Sequence, residues 1–248
     1  KDIILNNIDE KNKKSEQIIE KHLSIKEEVL EFLTSEVSET SVQNLLTKTR
    51  SFVDDIRSNQ GTSEKYLSKI MCYSQSIGDH CTNVANLSVY LALSLGYDQQ
   101  TILENIYVGA LLHDYGKVVV NLNSINPLKN PQHYLTELRR HPEVGRVTLL
   151  LESGVPEESI LIIQEHHERH DGKGYPKEIT GNKIYALTKI VSIANQFDNI
   201  ACDADDADTI QERQTIAYNE ISKDKGQLFD PAVLKKCLNS LRPVIFGT

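Results

Sequence analysis

No stretch of the chain is apolar for long enough to cross a bilayer, and no signal-peptide pattern opens it, so neither membrane binding nor export is expected. Methionine is nearly missing: the only one is Met71, and the first residue is Lys1. The stretch is therefore expected to begin inside a longer product. The four cysteines, Cys72, Cys81, Cys202 and Cys237, include no Cys-x-x-Cys pair. That makes them poor zinc ligands and reads as reduced thiols in a cytoplasmic protein. Basic charge is in deficit, with 27 Lys and Arg against 35 Asp and Glu and a net charge of -8. A broad electrostatic grip on nucleic acid, and so direct DNA binding, is not expected. A small anionic substrate is still allowed, because bound cations can reverse the local sign. Strand-type alternation and internal repeats are missing too, and the one biased tract is the acidic run Asp203 to Asp208.

What is present reads as helix after helix. Hydrophobic content of 39% and charged content of 25% over 248 residues fit one good-sized domain plus a smaller one. Apolar residues Ile19, Leu23, Leu30, Phe32, Leu33 and Val37 form a stripe within a helical stretch from Asn7 to Val37. Most of them fit a short heptad seam with Lys26 as its gap, usable as a two-helix or homodimer contact. A second helix is expected over Ser41–Arg57. Ser58-Asn59-Gln60-Gly61-Thr62-Ser63 is a break, and places a small helical accessory or signalling region at 1–60 beside a main domain at 61–248. Beyond it, helices are expected over Lys65–Leu95 (interrupted near Gly78 and stopped by Gly96), from Asp98 as cap to about Gly116, and over Tyr134–Glu152, Glu157–Glu168, Tyr185–Ala201, Thr209–Lys223 and Ala232–Leu241. Residues 118–131, with two prolines, read as a loop. The fold class is all-α.

The densest chemistry lies in Glu165-His166-His167-Glu168-Arg169-His170-Asp171-Gly172-Lys173-Gly174-Tyr175-Pro176, where histidines and carboxylates alternate ahead of a glycine-rich turn. Five of the eight histidines, His80, His113, His141, His166 and His167, fall at or near helix ends, and Asp114 follows His113 directly. Imidazole and carboxylate together suit iron, manganese or zinc in a hydrolytic site. Asp114 has two oxygens with which to bridge two cations, and a two-metal centre can activate water for in-line attack on phosphorus. The remaining histidines, His22, His133 and His170, read as packed or solvated.

These segments, in this order, resemble the HD-GYP subgroup of the HD-domain phosphohydrolases, which hydrolyse the dinucleotide cyclic di-GMP. His113-Asp114-Tyr115-Gly116-Lys117 is similar to the family's HD-x-GK signature, and His141-Pro142-Glu143-Val144-Gly145 to its HP-x-x-G element. His166 to Pro176 resembles its HHE-to-GYP core, and Gly226-Gln227-Leu228-Phe229-Asp230-Pro231 its closing G-x-x-FDP. The resemblance runs from about Lys65 to Leu241 and implies an HD-type helical bundle. It also implies two divalent metals, iron or alternatively manganese, sharing a hydroxide. One metal would be held by His80, His113, Asp114 and Asn195, the other by Asp114, His141, His166 and His167. Asp114 and Lys117 would be catalytic; Lys117 would also meet substrate, as would Tyr175. The Gly-Tyr-Pro segment would offer a contact to a signalling protein.

Three departures bear on that reading. Asn195 stands where the family has an aspartate ligand, with Asp198 one turn on. The acidic run replaces a basic segment that helps to hold phosphate, leaving Arg213 as a candidate substitute. Ser76 stands where some members place a glutamate for a third metal, so two metals are expected. Two alternatives follow: a family member that keeps metals but acts as a signalling or interaction module without turnover, and a phosphohydrolase for a different nucleotide.

Overall fold

The computed structural model of the protein describes residues 20–35, 38–58, 76–120, 122, 125–151, 154–205 and 207–247. The helical expectations for 7–19, 36–37 and 65–75, the proposed break beyond Ser58, and Ile19, Val37 and Cys72 lie outside them. Every regular element among the described residues is a helix. The first, α1, covers 20–34. It is followed by α2 (Glu39–Ser58), α3 (Ile77–Ser94), α4 (Gln100–Leu112), α5 (Tyr115–Val119) and α6 (Pro131–Leu138). The order then continues with α7 (His141–Leu151), α8 (Glu157–Glu165), α9 (Ala186–Asp203), α10 (Ile210–Ser222) and α11 (Pro231–Phe246).

The other helices gather around α4, which packs against α2, α3, α8 and α9. Its last turns, Ile106 to Leu112, are buried throughout, as an almost uninterrupted apolar run demands. Gly109 lets α8 come close, because a Cβ there would lie 2.8 Å from Ile162. This crossing sets the C-terminal ends of α4 and α8 side by side, and each end carries a histidine.

The N-terminal helices belong to the same apolar cluster as the rest. Phe52 meets Tyr107 at 5.4 Å between ring centroids, and Phe32 meets Tyr115 at 5.6 Å. The buried stripe of α1 differs from the expected seam. Ile25, Val29, Phe32 and Leu33 are buried, while Leu23 is 51% exposed. Ile25, Val29 and Phe32 follow the i, i+4, i+7 spacing of one helix face, and that face turns His22 onto Phe52 and Asn86.

Several helix boundaries also differ. The N-cap of α4 is Gln99 without a side-chain cap, not Asp98, because the helix starts one residue later than that cap requires. The expected helix over Tyr134–Glu152 is two helices joined at Arg139-Arg140. Pro142 enforces the break: it has no N–H for the Leu138 carbonyl four residues back, and its ring would clash with it. His141 Nδ1 takes that carbonyl instead, at 2.8 Å. α8 stops at Glu165 rather than Glu168. The helix expected to run to about Gly116 stops at Leu112, and α5 begins after the His113-Asp114 turn and takes in Val118 and Val119, expected as loop; α11 runs on past Leu241 to Phe246. Gly96, at φ +93, ends α3 beyond its Leu95 cap. Thr209 and Glu212 form a reciprocal capping box on α10.

Candidate metal centre

Four histidines reach the centre from four places in the chain, and each has one ring nitrogen already committed. His113 and His166 directly follow α4 and α8, where the final carbonyls of a helix lack intrahelical partners. Their Nδ1 atoms lie 2.7 Å from the Ala110 and Ile163 carbonyls. His141 does the same with Leu138, and His80 Nδ1 meets Asp198 Oδ2 at 2.7 Å. A ring that donates through Nδ1 carries its lone pair on Nε2, so all four are set as Nε2 donors toward one point.

That point is Asp114. It sits between α4 and α5, at φ -97 and ψ 5, and its carboxylate caps neither helix. Oδ2 faces His80 Nε2 at 3.7 Å and His113 Nε2 at 3.5 Å. Oδ1 faces His141 Nε2 at 3.3 Å and His166 Nε2 at 3.7 Å. The two oxygens therefore divide the histidines into two sets. His80, His113 and Asp114 form one group of mutually close ligand atoms, and Asp114, His141, His166 and His167 form the other. Lys117 Nζ donates to Asp114 Oδ2 at 2.6 Å from one turn into α5.

Electrostatics favour the metal-ready forms. Burial lowers the pKa of His113, His166 and His167, keeping their rings neutral. Burial by itself would raise that of Asp114, but His113, the nearby His141 and His166 side chains and Lys117 hold its carboxyl well below the usual carboxylate range. His80 Nε2, His113 Nε2 and Asp114 Oδ1 are buried without a hydrogen-bond partner. An orphaned polar atom in a protein interior is costly, and three converging on one place fit a cation.

The remaining expected residues separate. Asn195 is buried and lines the cleft beside His166 and His167, with its Oδ1 accepting from Asn199 Nδ2 at 2.9 Å. Asp198 orients His80 and accepts from Asn83 at 3.0 Å. Tyr175 lies in the cleft, its ring stacked on His167 at 4.6 Å. Arg213 does not line that cleft; it donates to the Ala201 and Cys202 carbonyls at the end of α9, satisfying groups that a helix terminus leaves open. The described acids of the run, Asp203, Asp205 and Asp208, do not line the cleft either. Ser76 caps α3 by accepting from the Asp79 amide at 3.1 Å.

The carboxylates of the dense stretch are braces. Glu165 accepts from the Tyr185 amide at 2.9 Å, and Glu168 from the amides of Lys177 and Ile179 at 2.6 and 3.1 Å. Asp171 pairs with Arg169. The closing motif clamps the same stretch, since the His170 and Asp171 amides donate to Leu228 and Gln227. Sequence reasoning did not single out Arg139, which lines the cleft of about 300 Å³ beside the histidines. Its only signal was a position two residues before His141.

A family model described as an HD domain matches residues 55–233. The chain belongs to the HD domain family. Its intact HD-x-GK and Gly-Tyr-Pro segments put it in the HD-GYP subgroup. Among curated HD relatives it is 30% identical over 168 residues to the cyclic di-GMP phosphodiesterase response regulator RpfG of Xanthomonas campestris pv. campestris, covering 66% of this chain and 41% of that one. It is 34% identical over 128 residues to the 3'3'-cGAMP-specific phosphodiesterase 1 of Vibrio cholerae, covering 50% of this chain and 28% of that one. The matched region thus spans less than half the length of these relatives. Bd1817, an HDG"Y"P protein from Bdellovibrio bacteriovorus, shares the fold with a TM-score of 0.72 at 22% identity, covering 90% of this chain and 70% of that chain.

Proposed function

We propose that the protein is a metal-dependent phosphodiesterase that hydrolyses cyclic di-GMP to pGpG and GMP. The observation that carries this reading is the division of Asp114, with one oxygen turned to His80 and His113 and the other to His141 and His166. A single carboxylate shared between two clusters of imidazoles is the donor set of a binuclear centre. In this assignment His80, His113, Asp114 and Asn195 hold one divalent ion, and Asp114, His141, His166 and His167 hold the other, iron in preference to manganese. Bound there, the pair supplies a nucleophilic water at neutral pH and neutralises charge on the phosphoryl oxygens. Lys117, already beside Asp114, stabilises the charge that develops on phosphorus or delivers a proton to the departing ribose 3′ oxygen. Tyr175 forms a wall of the substrate cleft. Among the described residues no helix is long and apolar enough to cross a membrane.

The relatives favour the same substrate class, several of them being named cyclic di-GMP phosphodiesterases. The test is incubation with cyclic di-GMP, and in parallel 3'3'-cGAMP, in Mn²⁺ or anaerobic Fe²⁺, with products separated chromatographically and metal content measured. About two ions per chain and release of pGpG or GMP are expected, with Asp114→Ala abolishing turnover. Two bound ions without turnover of either dinucleotide refutes the catalytic reading and leaves a binding module.

A further inference from the structure

Arg139 is the one guanidinium lining the cleft that has no carboxylate partner among the described residues. Its neighbours explain why. Arg140 pairs with Glu137 at 2.6 Å, and Arg146 holds Glu143 at 2.5 Å, so the acids nearest to Arg139 in sequence are engaged. Arg169, also at the cleft, forms a two-point pair with Asp171. Glu168 lines the same cleft, but both its oxygens accept backbone amides. Arg139 instead rests over the Tyr175 ring, 5.5 Å from its centroid, and the Tyr175 ring stacks on His167. The Pro142 break puts it there, because Arg139 ends α6 in the turn that delivers His141.

A cation left unpaired, presented on an aromatic face and one ring away from the histidine cluster is suited to an anionic group next to the one being cleaved. We infer that Arg139, supported by Tyr175, forms a subsite for the second phosphodiester of a dinucleotide whose first lies at Asp114 and Lys117. This rests on the proposed phosphodiesterase reading. It makes Arg139 a binding residue that selects substrates with two phosphates, in the place left vacant by Arg213.

The test compares cyclic di-GMP with bis(4-nitrophenyl) phosphate, a diester with a single phosphate, in the metal-loaded wild type and in Arg139→Gln and Arg139→Lys. The side chain is exposed, and thermal unfolding of each variant against wild type checks that folding is intact. Arg139→Gln is expected to raise KM for cyclic di-GMP about tenfold with kcat within about twofold, and to leave the single-phosphate diester unchanged. Arg139→Lys should fall between, because it keeps the charge and loses the planar fork. Equal losses on both substrates would mean that Arg139 only braces Tyr175 and His167; no change on either would mean that it is idle. Both outcomes overturn the subsite. Equilibrium dialysis of cyclic di-GMP with chelator-treated protein reads the subsite without turnover. If the wild type hydrolyses nothing, the phosphodiesterase reading falls by itself, and an Arg139-dependent Kd sustains the subsite, whereas an unchanged Kd or no binding sinks it.

Discussion

Replacing Gly116 by alanine should dismantle half of the centre without touching a ligand. Gly116 lies in α5 directly against the start of α7. A Cβ there would lie 1.9 Å from the His141 carbonyl oxygen, 2.7 Å from its carbon and 2.8 Å from the Gly145 nitrogen. All three are backbone atoms of an ordered helix, so no side chain can swing aside. Real Cβ contacts essentially never fall below 3.0 Å, so α7 must retreat by roughly an ångström. His141 Nε2 now stands 3.3 Å from Asp114 Oδ1. A shift of that size moves it away from the carboxylate while leaving His80 and His113, on α3 and after α4, in place. Overpacking of this kind costs about 1–3 kcal/mol, or about 2–4 °C of Tm per kcal/mol for a domain of this size. The effect on chemistry should be larger, since a misplacement of about 1 Å can cost about a hundredfold in rate. Thermal unfolding, metal analysis and cyclic di-GMP turnover on one preparation read all three. The expected result is a modestly destabilised, folded protein that binds close to one ion per chain and turns over at least tenfold more slowly. A variant with full metal content and activity within about twofold of wild type would refute the claim that the α5–α7 approach places His141.

Asp198→Asn should weaken the first metal by about 10–100-fold, read by chelator competition, because the hydrogen bond that fixes His80 loses its charge. Phe52→Ala should cost about 3–5 kcal/mol in urea denaturation, since Phe52 is fully buried against Tyr107; a loss below about 1 kcal/mol would show that α2 is only loosely attached. His22 makes stability depend on pH. Burial, reinforced by Lys26, lowers its pKa from 6.5 to about 4. The unfolded chain therefore takes up the proton first, so the contribution is complete above pH 6.5, falls as pH drops toward 4, and is gone below it. The span is about 3 kcal/mol. The difference between wild type and His22→Gln, both chelator-treated, should shrink over that window; a constant difference would remove His22 as its source.

Much of this protein was legible in the residues alone, and the reason is locality. Helix ends, the Gly96 stop and the histidines beyond α4 and α8 depend on neighbours within a turn or two, so residue type and spacing carry them. Pro142 could also have marked the break that places His141, because its clash with Leu138 is four residues away. The apolar spacing of α1 is local as well: Ile25, Val29 and Phe32 share one buried face, whereas the heptad seam depends on Leu23, which stays exposed.

What required the tertiary structure depends on residues far apart in the chain. The assignment of Asp114 Oδ1 and Oδ2 to different histidines is set by the Gly109–Ile162 crossing and the Gly116–Gly145 approach, neither of which any local pattern encodes. Asp198 reaches His80 across 118 positions, and the closing motif clamps His170 and Asp171 from nearly sixty residues downstream. Within the dense stretch from Glu165 to Pro176, the carboxylates of Glu165, Glu168 and Asp171 are spent on amides and on Arg169. Arg139, ordinary in the sequence, stands without a carboxylate partner at the cleft, the acids nearest to it in sequence being held by Arg140 and Arg146. The sequence by itself determined which histidines and which aspartate stand at or near the helix ends that meet at the candidate centre. Only the packing decided how one carboxylate is shared and which charges remain free, because those depend on who else arrives at the same point.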